Sequence, residues 1–437
     1  SEIRHSLSLP NFLAKERPDL LLVGDALPKT LGSSQAMTDR LISLSRDLAL
    51  GMVYTNSSLE ESSSDFIYSP DQQILDHGHV LASLDGLAGR SVLRALSKET
   101  APPTLTSNYF VEGKPDRPLA SETRDCSVSF MTRKKPHISA LPFVPEKAED
   151  RAVWAEESFN IQAHGLARRL WQIGAKSIVL GLSGGLDSTL ALMAALRACQ
   201  LLDRPASDIL AVTMPGFGTS KETSGNAHIL LEESKVSHLN ISVVPASLQH
   251  FQDIGHDPAI HDATYENTQA RERTQILMDL ANKTGGLVIG TGDLSELALG
   301  WCTYNGDQMS MYSLNHSIPK TCIRPLLAHE ARLLRKEGKE RFASVLEDIS
   351  QTPVSPELLP PDAQGQISQK TEDILGPYQV HDFFIYRLLV EGLSIKEAYD
   401  LALEVLAGPE PLYSEATIRQ TLKTLLHRFL SQQFKRT

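Results

Sequence analysis

The chain is short of cysteine, of positive charge and of long apolar runs. Four cysteines occur in 437 residues, Cys126, Cys199, Cys302 and Cys322. They form no CxxC pair, which argues against a zinc or iron–sulfur centre, and such sparse usage suits a reducing cytosol. Lys and Arg number 42 against 53 Asp and Glu, a net charge of -11. That balance argues against a broad nucleic-acid surface, which needs clustered cations. No apolar stretch approaches a membrane span, and the N-terminus lacks the basic-then-apolar pattern of a secretory signal. A cytoplasmic protein engaging neither membrane nor nucleic acid is expected. The chain opens at Ser1 rather than Met, which leaves room for residues upstream.

With 41% hydrophobic and 22% charged residues, the chain can bury sizeable cores, and its length suits two domains. Residues 1–112 carry β-type runs at 19–27, 48–58 and 65–84. Between the first two, Met37, Leu41, Ile42, Leu44, Leu48 and Leu50 recur near helical spacing. Asp71 and His77–Gly78 read as turns. Residues 113–150, rich in Pro, Ser and charge, read as a linker. From Arg151 the pattern alternates: helix 151–171, strand 177–182, helix 188–201, strand 209–214, a helix from about Lys221. A strand near Leu239–Val244, helix 265–283 and strand 286–290 follow. That order predicts an α/β fold, a doubly wound parallel sheet with ligands at the carboxyl ends of its strands. Beyond Leu326 the chain reads as mostly helical, closing with a Ser414-capped helix through Lys435.

The densest signal is SIVLGLSGGLDSTLALMAALRAC at 177–199. A strand delivers the backbone to Gly181, and two glycines permit a close turn around an anion. A helix then points its unpaired N–H groups and positive dipole end at the same place. Ser183 and Ser188 add hydroxyls, and Asp187 is placed to hold Mg²⁺ on phosphates. A glycine-rich connection without a ligand would need neither the serines nor the aspartate. The run lacks both the GxxxxGK[ST] and the GxGxxG patterns.

Two further clusters stand out. In GTGDLSELALGWCTYNGDQ (290–308), Asp293 and Glu296 lie three apart at a helix start after a strand. Either alone reads as charge complementing the helix dipole. With Thr291 and Trp301 they read as a binding site. In HDATYENTQARERTQIL (261–277), Asn267 and Arg271 share a helix face and Arg273 lies on another, a pattern a solvated face would also produce. Lys320 and Lys435 offer cations that could meet phosphates or simply sit at the surface.

The SGGLDS turn resembles the PP-loop of ATP pyrophosphatases, which cleave ATP between its α- and β-phosphates and adenylate a substrate oxygen. From about Phe143 onward the chain resembles the synthetase domain of NAD synthetases of the glutamine-dependent, two-domain type. The resemblance rests on VTMPGFGTS, TYENTQARERT, GTGDLSELALGWCTYNGDQMSMYSLNHSIPKT, TPVSPELLP and QKTEDILGPYQVHDFF. It implies a PP-loop, adenine nucleotide α-hydrolase-like fold at 151–437. The implied reaction adenylates the nicotinate carboxylate of deamido-NAD with ATP, then admits ammonia to give NAD, AMP and pyrophosphate.

By that resemblance Gly181, Leu182, Ser183, Gly184, Gly185, Leu186, Asp187 and Ser188 cradle ATP, with Thr291 and Lys320 beside it. Asp187 and Glu296 hold Mg²⁺. Asn267, Arg271, Glu296, Trp301, Cys302, Thr303, Tyr304 and Lys435 bind deamido-NAD, the two aromatic rings serving as stacking faces. No covalent nucleophile is implied, so catalysis reduces to positioning and electrostatics. Synthetase domains of this type are expected to pair as homo-oligomers.

Residues 1–112 resemble the second half of a nitrilase-like αββα amidase, whose Cys-Glu-Lys triad frees ammonia from glutamine. The expected nucleophile position aligns weakly with Arg4, no cysteine precedes Cys126, and the remaining triad members would lie upstream. An amidase without its thiolate cannot attack glutamine by this route. Three expectations follow. The first is a synthetase fed by free ammonia or a partner's ammonia. The second is a portion of a glutamine-dependent enzyme, and the third is a dinucleotide-binding scaffold without activity.

Overall fold

The computed structural model describes residues 18–61, 66–84, 86–87, 137–219, 221–352 and 371–436. The Arg4 position, Cys126, linker residues 113–136 and most of TPVSPELLP lie outside these residues. The described residues fall into two compact units, the first ending at Ile138 and the second running from Ser139 and also taking in residues 66–67.

In the first unit, β1 (Leu20–Asp25), α1 (Ser33–Asp47) and β2 (Gly51–Asn56) form a parallel crossover. Antiparallel β3 (Gln72–Asp76) and β4 (His79–Leu84) extend the sheet. His77 and Gly78, both at positive φ, make the two-residue hairpin turn between them. Gly78 cannot be replaced, because a Cβ there would lie 2.7 Å from that of Arg46. Met37, Leu41 and Leu44 of α1 bury against Met52, Tyr54 and Leu75, as the helical spacing predicted. On the opposite sheet face Leu22 remains 71% exposed.

The second unit begins before the expected linker ends, with Val144 already in its core. Its helices and strands are α2 (Ala148–Ile173), β5 (Ile178–Gly181), α3 (Leu186–Leu201), β6 (Ile209–Thr213), α4 (Lys221–Ser234) and β7 (Ser237–Asn240). They continue through α5 (Val244–Ile254), α6 (Ala263–Thr284), β8 (Leu287–Gly290), α7 (Leu294–Leu299) and β9 (Tyr312–Ser313). The five strands are all parallel, in the order β7-β6-β5-β8-β9. Alternation along the strands feeds two cores. Ile178, Leu180, Ile209, Ala211, Leu287 and Ile289 face α2 and α3, while Val179, Val212 and Val288 face α6. Helices therefore cover both faces, as the strand–helix alternation predicted.

The expected strand near Leu239–Val244 is shorter, because Val244 already opens a helix with proline in its first turn. The chain moves outward from β5 through β6 to β7, then returns to place β8 on the other side of β5. The topological switch point thus lies between β5 and β8, where ligands of such sheets gather.

The remaining helices are α8 (Lys320–Lys336), α9 (Glu340–Gln351), α10 (Thr371–Leu375), α11 (Tyr378–Ile385), α12 (Ile395–Leu406) and α13 (Glu415–Ser431). Helices α7 and α10–α13 share a separate core around Phe383, Phe384 and Leu422. Ser414 caps α13 as expected, accepting from the Thr417 N–H. The helix ends at Ser431, short of Lys435, and a single 3₁₀ turn follows. Among the described residues, no helix is long and apolar enough to cross a membrane.

An ion cluster pins α2, α3 and α8 together. Arg197 donates to both oxygens of Glu156 at 2.7 and 3.1 Å and also to Glu330, and His329 Nε2 lies 2.9 Å from Glu156. Hydrogen bonds from His329 and Arg197 hold the Glu156 pKa down at about 2. A carboxylate depressed in the folded state stabilises above its unfolded pKa and loses that contribution as pH falls towards 2. Urea unfolding of Glu156→Gln should therefore show lower stability than the parent chain at pH 7, with the gap narrowing as pH drops from 5 towards 2. A gap independent of pH would contradict this.

Candidate functional site

The loop after β5 turns at Gly184, whose φ of 84° is natural only to glycine. Gly185 is the N-cap and α3 opens at Leu186, two residues earlier than the sequence pattern placed it. Asp187 therefore sits in the first turn, where the helix dipole favours a carboxylate. Ser183 and Ser188 hydroxyls lie 3.1 Å apart, and Ser183 Oγ accepts the Gly185 N–H at 3.1 Å. Gly181 packs beneath Leu277 and Met214, and Leu182 is buried.

The loop after β8 emerges at the same carboxyl edge. Asn315, fully buried, donates to the carbonyls of both Asp187 and Thr291, at 2.9 and 3.1 Å. Gln162 of α2 in turn donates to Asn315 Oδ1 at 3.0 Å. The two loops are thus fastened by an amide that sequence reasoning missed, since the contact spans more than a hundred residues.

At the centre stands Lys320, 5% exposed, at the first position of α8. Its Nζ lies 2.8 Å from Asp187 Oδ2, 2.8 Å from Asp293 Oδ2 and 2.8 Å from Glu296 Oε1. Burial pulls the ammonium pKa down, but the three carboxylates outweigh it and hold it well above the ordinary lysine value. Burial and mutual repulsion push Asp293 well above the usual carboxylate range, and burial lifts Glu296 to about 7.

Asp293 performs two tasks. Oδ1 caps α7 by accepting the Glu296 N–H at 2.8 Å, the dipole role read from sequence. Oδ2, fully buried, has ion contact with Lys320 but no aligned hydrogen bond. Oxygens of Asp187, Asp293 and Glu296 lie within 4.8 Å of one another. Three hard carboxylate donors, one incompletely satisfied, fit a small dication such as Mg²⁺. Asp293 could thereby hold a metal beside Asp187 and Glu296, the two ligands expected from sequence.

The opposite end of α7 carries the second cluster. The six-residue helix spans about 9 Å, and the Trp301 N–H beyond its end donates to the carbonyl of Glu296 in its first turn at 2.9 Å. Thr303 Oγ1 donates to Asn267 Oδ1 at 2.7 Å, and Arg271 Nε to the Tyr304 carbonyl at 3.3 Å. Lys435 Nζ donates to the carbonyls of Gly300 and Cys302, at 3.2 and 2.7 Å. Arg428 lies 5.2 Å over the Trp301 ring, and Tyr304 is 39% exposed against Phe434. Cys302 Sγ lies 2.9 Å from Gln308 Oε1, and burial pushes its pKa up to about 12. Arg273 turns elsewhere, to the Met214 carbonyl. The residues named from sequence therefore fall into two groups at the ends of one short helix.

The NAD synthase family model matches residues 159–405, and the chain belongs to that family. It is 37% identical over 319 residues to a glutamine-dependent NAD(+) synthetase of Mycobacterium leprae, covering 69% of this chain and 46% of that protein. To the glutamine-dependent NAD(+) synthetase of Acinetobacter baylyi it is 28% identical over 396 residues, 89% of this chain and 61% of that one. The chain therefore spans about half the length of the first of these curated relatives. In fold it is similar to the glutamine-dependent NAD(+) synthetase structure from Cytophaga hutchinsonii. That likeness has a TM-score of 0.66 at 17% identity and covers 97% of this chain and 65% of that one. The structure from Acinetobacter baumannii, in complex with adenosine diphosphate, gives a TM-score of 0.58 at 20% identity, covering 97% and 66%.

Lys320→Met should cost about 3–5 kcal/mol, because removing one partner leaves buried charge uncompensated. Millimolar Mg²⁺ should restore part of that loss. Thermal unfolding with and without Mg²⁺ checks this, and an unchanged midpoint in the variant would contradict it.

Proposed function

We propose that the chain catalyses ATP-dependent amidation of deamido-NAD to NAD. The single observation that carries this is the convergence of the PP-loop, Lys320 and three carboxylates at the switch point of the sheet. The N–H groups opening α3, with Ser183 and Ser188, would receive the ATP phosphates, beside Thr291 and Lys320. Asp187, Asp293 and Glu296 would hold Mg²⁺, which when bound neutralises phosphate charge. Asn267, Arg271, Glu296, the run Trp301–Tyr304 and Lys435 would hold the dinucleotide.

A free carboxylate is a poor acyl donor. Attack by the nicotinate carboxylate oxygen on the α-phosphate breaks the bond to the β-phosphate and releases pyrophosphate. Ammonia then adds to the acyl carbon of the adenylate, AMP departs and one proton is lost, leaving the amide. Positioned donors and charge would carry both steps, with no covalent intermediate on the protein. The reaction is assigned to the cytoplasm on the free, buried thiols Cys199 and Cys322.

The ammonia is read as free or supplied by a partner. A second reading makes this chain a portion of a glutamine-dependent enzyme, favoured by the apolar sheet face that Leu22 exposes on β1. Pyrophosphate release should require ATP, Mg²⁺, deamido-NAD and ammonium together. Asp187→Ala should abolish it while leaving the fold nearly intact. No turnover at saturating ammonium would favour a scaffold, and turnover on glutamine alone would overturn the ammonia reading.

A further inference from the structure

Helix α8 begins without a cap of its own. Its N-cap is Pro319, which offers no side-chain acceptor, so the first backbone N–H groups need partners from elsewhere. The Lys320 N–H donates to Ser295 Oγ at 2.9 Å, and the Thr321 N–H to Asp382 Oδ2 at 2.9 Å. Thr321 Oγ1 also donates to Asp382 Oδ2, at 2.7 Å, while Ser295 donates to Asp382 Oδ1 at 2.5 Å. One carboxylate on α11, 1% exposed, therefore receives both Ser295 beside Glu296 and the first turn of α8.

The same helix reaches the ammonium itself. Tyr378, one turn before Asp382 on α11, lies with its ring centroid 5.5 Å from Lys320 Nζ. Helix α11 thus holds the Thr321 backbone through Asp382 and faces the Lys320 charge through Tyr378. We infer that Asp382 is a positioning residue. By clamping α7 to α8 it sets the spacing between Glu296 and Asp293 on one side and Lys320 on the other. It touches no reacting group itself. Without the Asp382 carboxylate the Thr321 N–H would be buried and unpaired and Ser295 would lose its anchor, with Lys320 free to leave the carboxylates.

The inference rests on the proposed adenylation centre, and its test separates the two. Asp382→Asn and Thr321→Val are compared with Thr321→Ser, which keeps the hydroxyl, using the whole chain. For the first two, kcat for ammonium-dependent pyrophosphate release should fall roughly tenfold or more, as small misplacements by supporting residues do. KM for deamido-NAD should change far less than kcat, since every residue read as holding it except Glu296 lies at or beyond the other end of α7. Thr321→Ser should recover most of the rate. Crystal structures of the Asn and Val variants should show Lys320 Nζ withdrawn from at least one carboxylate. Unchanged Nζ–carboxylate distances, or lowered unfolding temperature with kcat intact, would overturn the inference. If the parent chain itself releases no pyrophosphate, the proposed function fails and the distances alone decide the role of Asp382.

Discussion

Everything at the carboxyl edge of the second sheet is arranged around one buried ammonium. Lys320 holds Asp187, Asp293 and Glu296 within reach of one another, and each comes from a different local device. Asp187 is supplied by the first turn of α3, Asp293 by the N-cap of α7, and Glu296 by the turn that follows it. Without the cation three carboxylates would repel one another out of this arrangement. Three carboxyl groups face one ammonium, so the cluster carries acidic oxygens in excess of the cation and could take up a dication. The cluster is therefore held together by Lys320 and remains receptive to further positive charge.

The sheet topology explains why these groups meet. Strands β5 and β8 are neighbours in space although more than a hundred residues separate them. Their following loops leave the same edge, and Asn315 ties the two backbones together. Helix α7 then connects the charged cluster to the ring-bearing loop at Trp301–Tyr304. Cations from α13 and the turn after it satisfy the carbonyls at the end of α7, Arg428 at Leu299 and Gly300, and Arg436 at Leu297 and Ala298. A helix of only six residues cannot hold two clusters apart unaided, and this latch gives it a fixed end.

Much of this was legible in the sequence where the signal was local. The apolar run before Gly181 and the glycine turn announced a strand–loop–helix. The i, i+4 spacing of Asn267 and Arg271 put both on one helix face, which a solvated face would also do, and only the fold sets that face against the Thr303–Tyr304 loop. The dipole reading of Asp293 was correct for one oxygen and silent about the other, because a cap and an ion contact draw on the same carboxylate. Asn315, Gln162 and Asp382 carried no local signature. Their roles arise from contacts across 24 to 153 positions, which only the fold brings together. The start of α8 shows why: Pro319 suits a first helical turn but supplies no cap, so the partner had to be remote.

The central claim is that the nicotinate carboxylate attacks the α-phosphate of ATP at this centre. The most direct test uses deamido-NAD labelled with ¹⁸O in that carboxylate, with ATP, Mg²⁺ and ammonium. One labelled oxygen should appear in the phosphate of AMP for each NAD formed. Label in inorganic phosphate or pyrophosphate, or AMP free of label, would contradict the account.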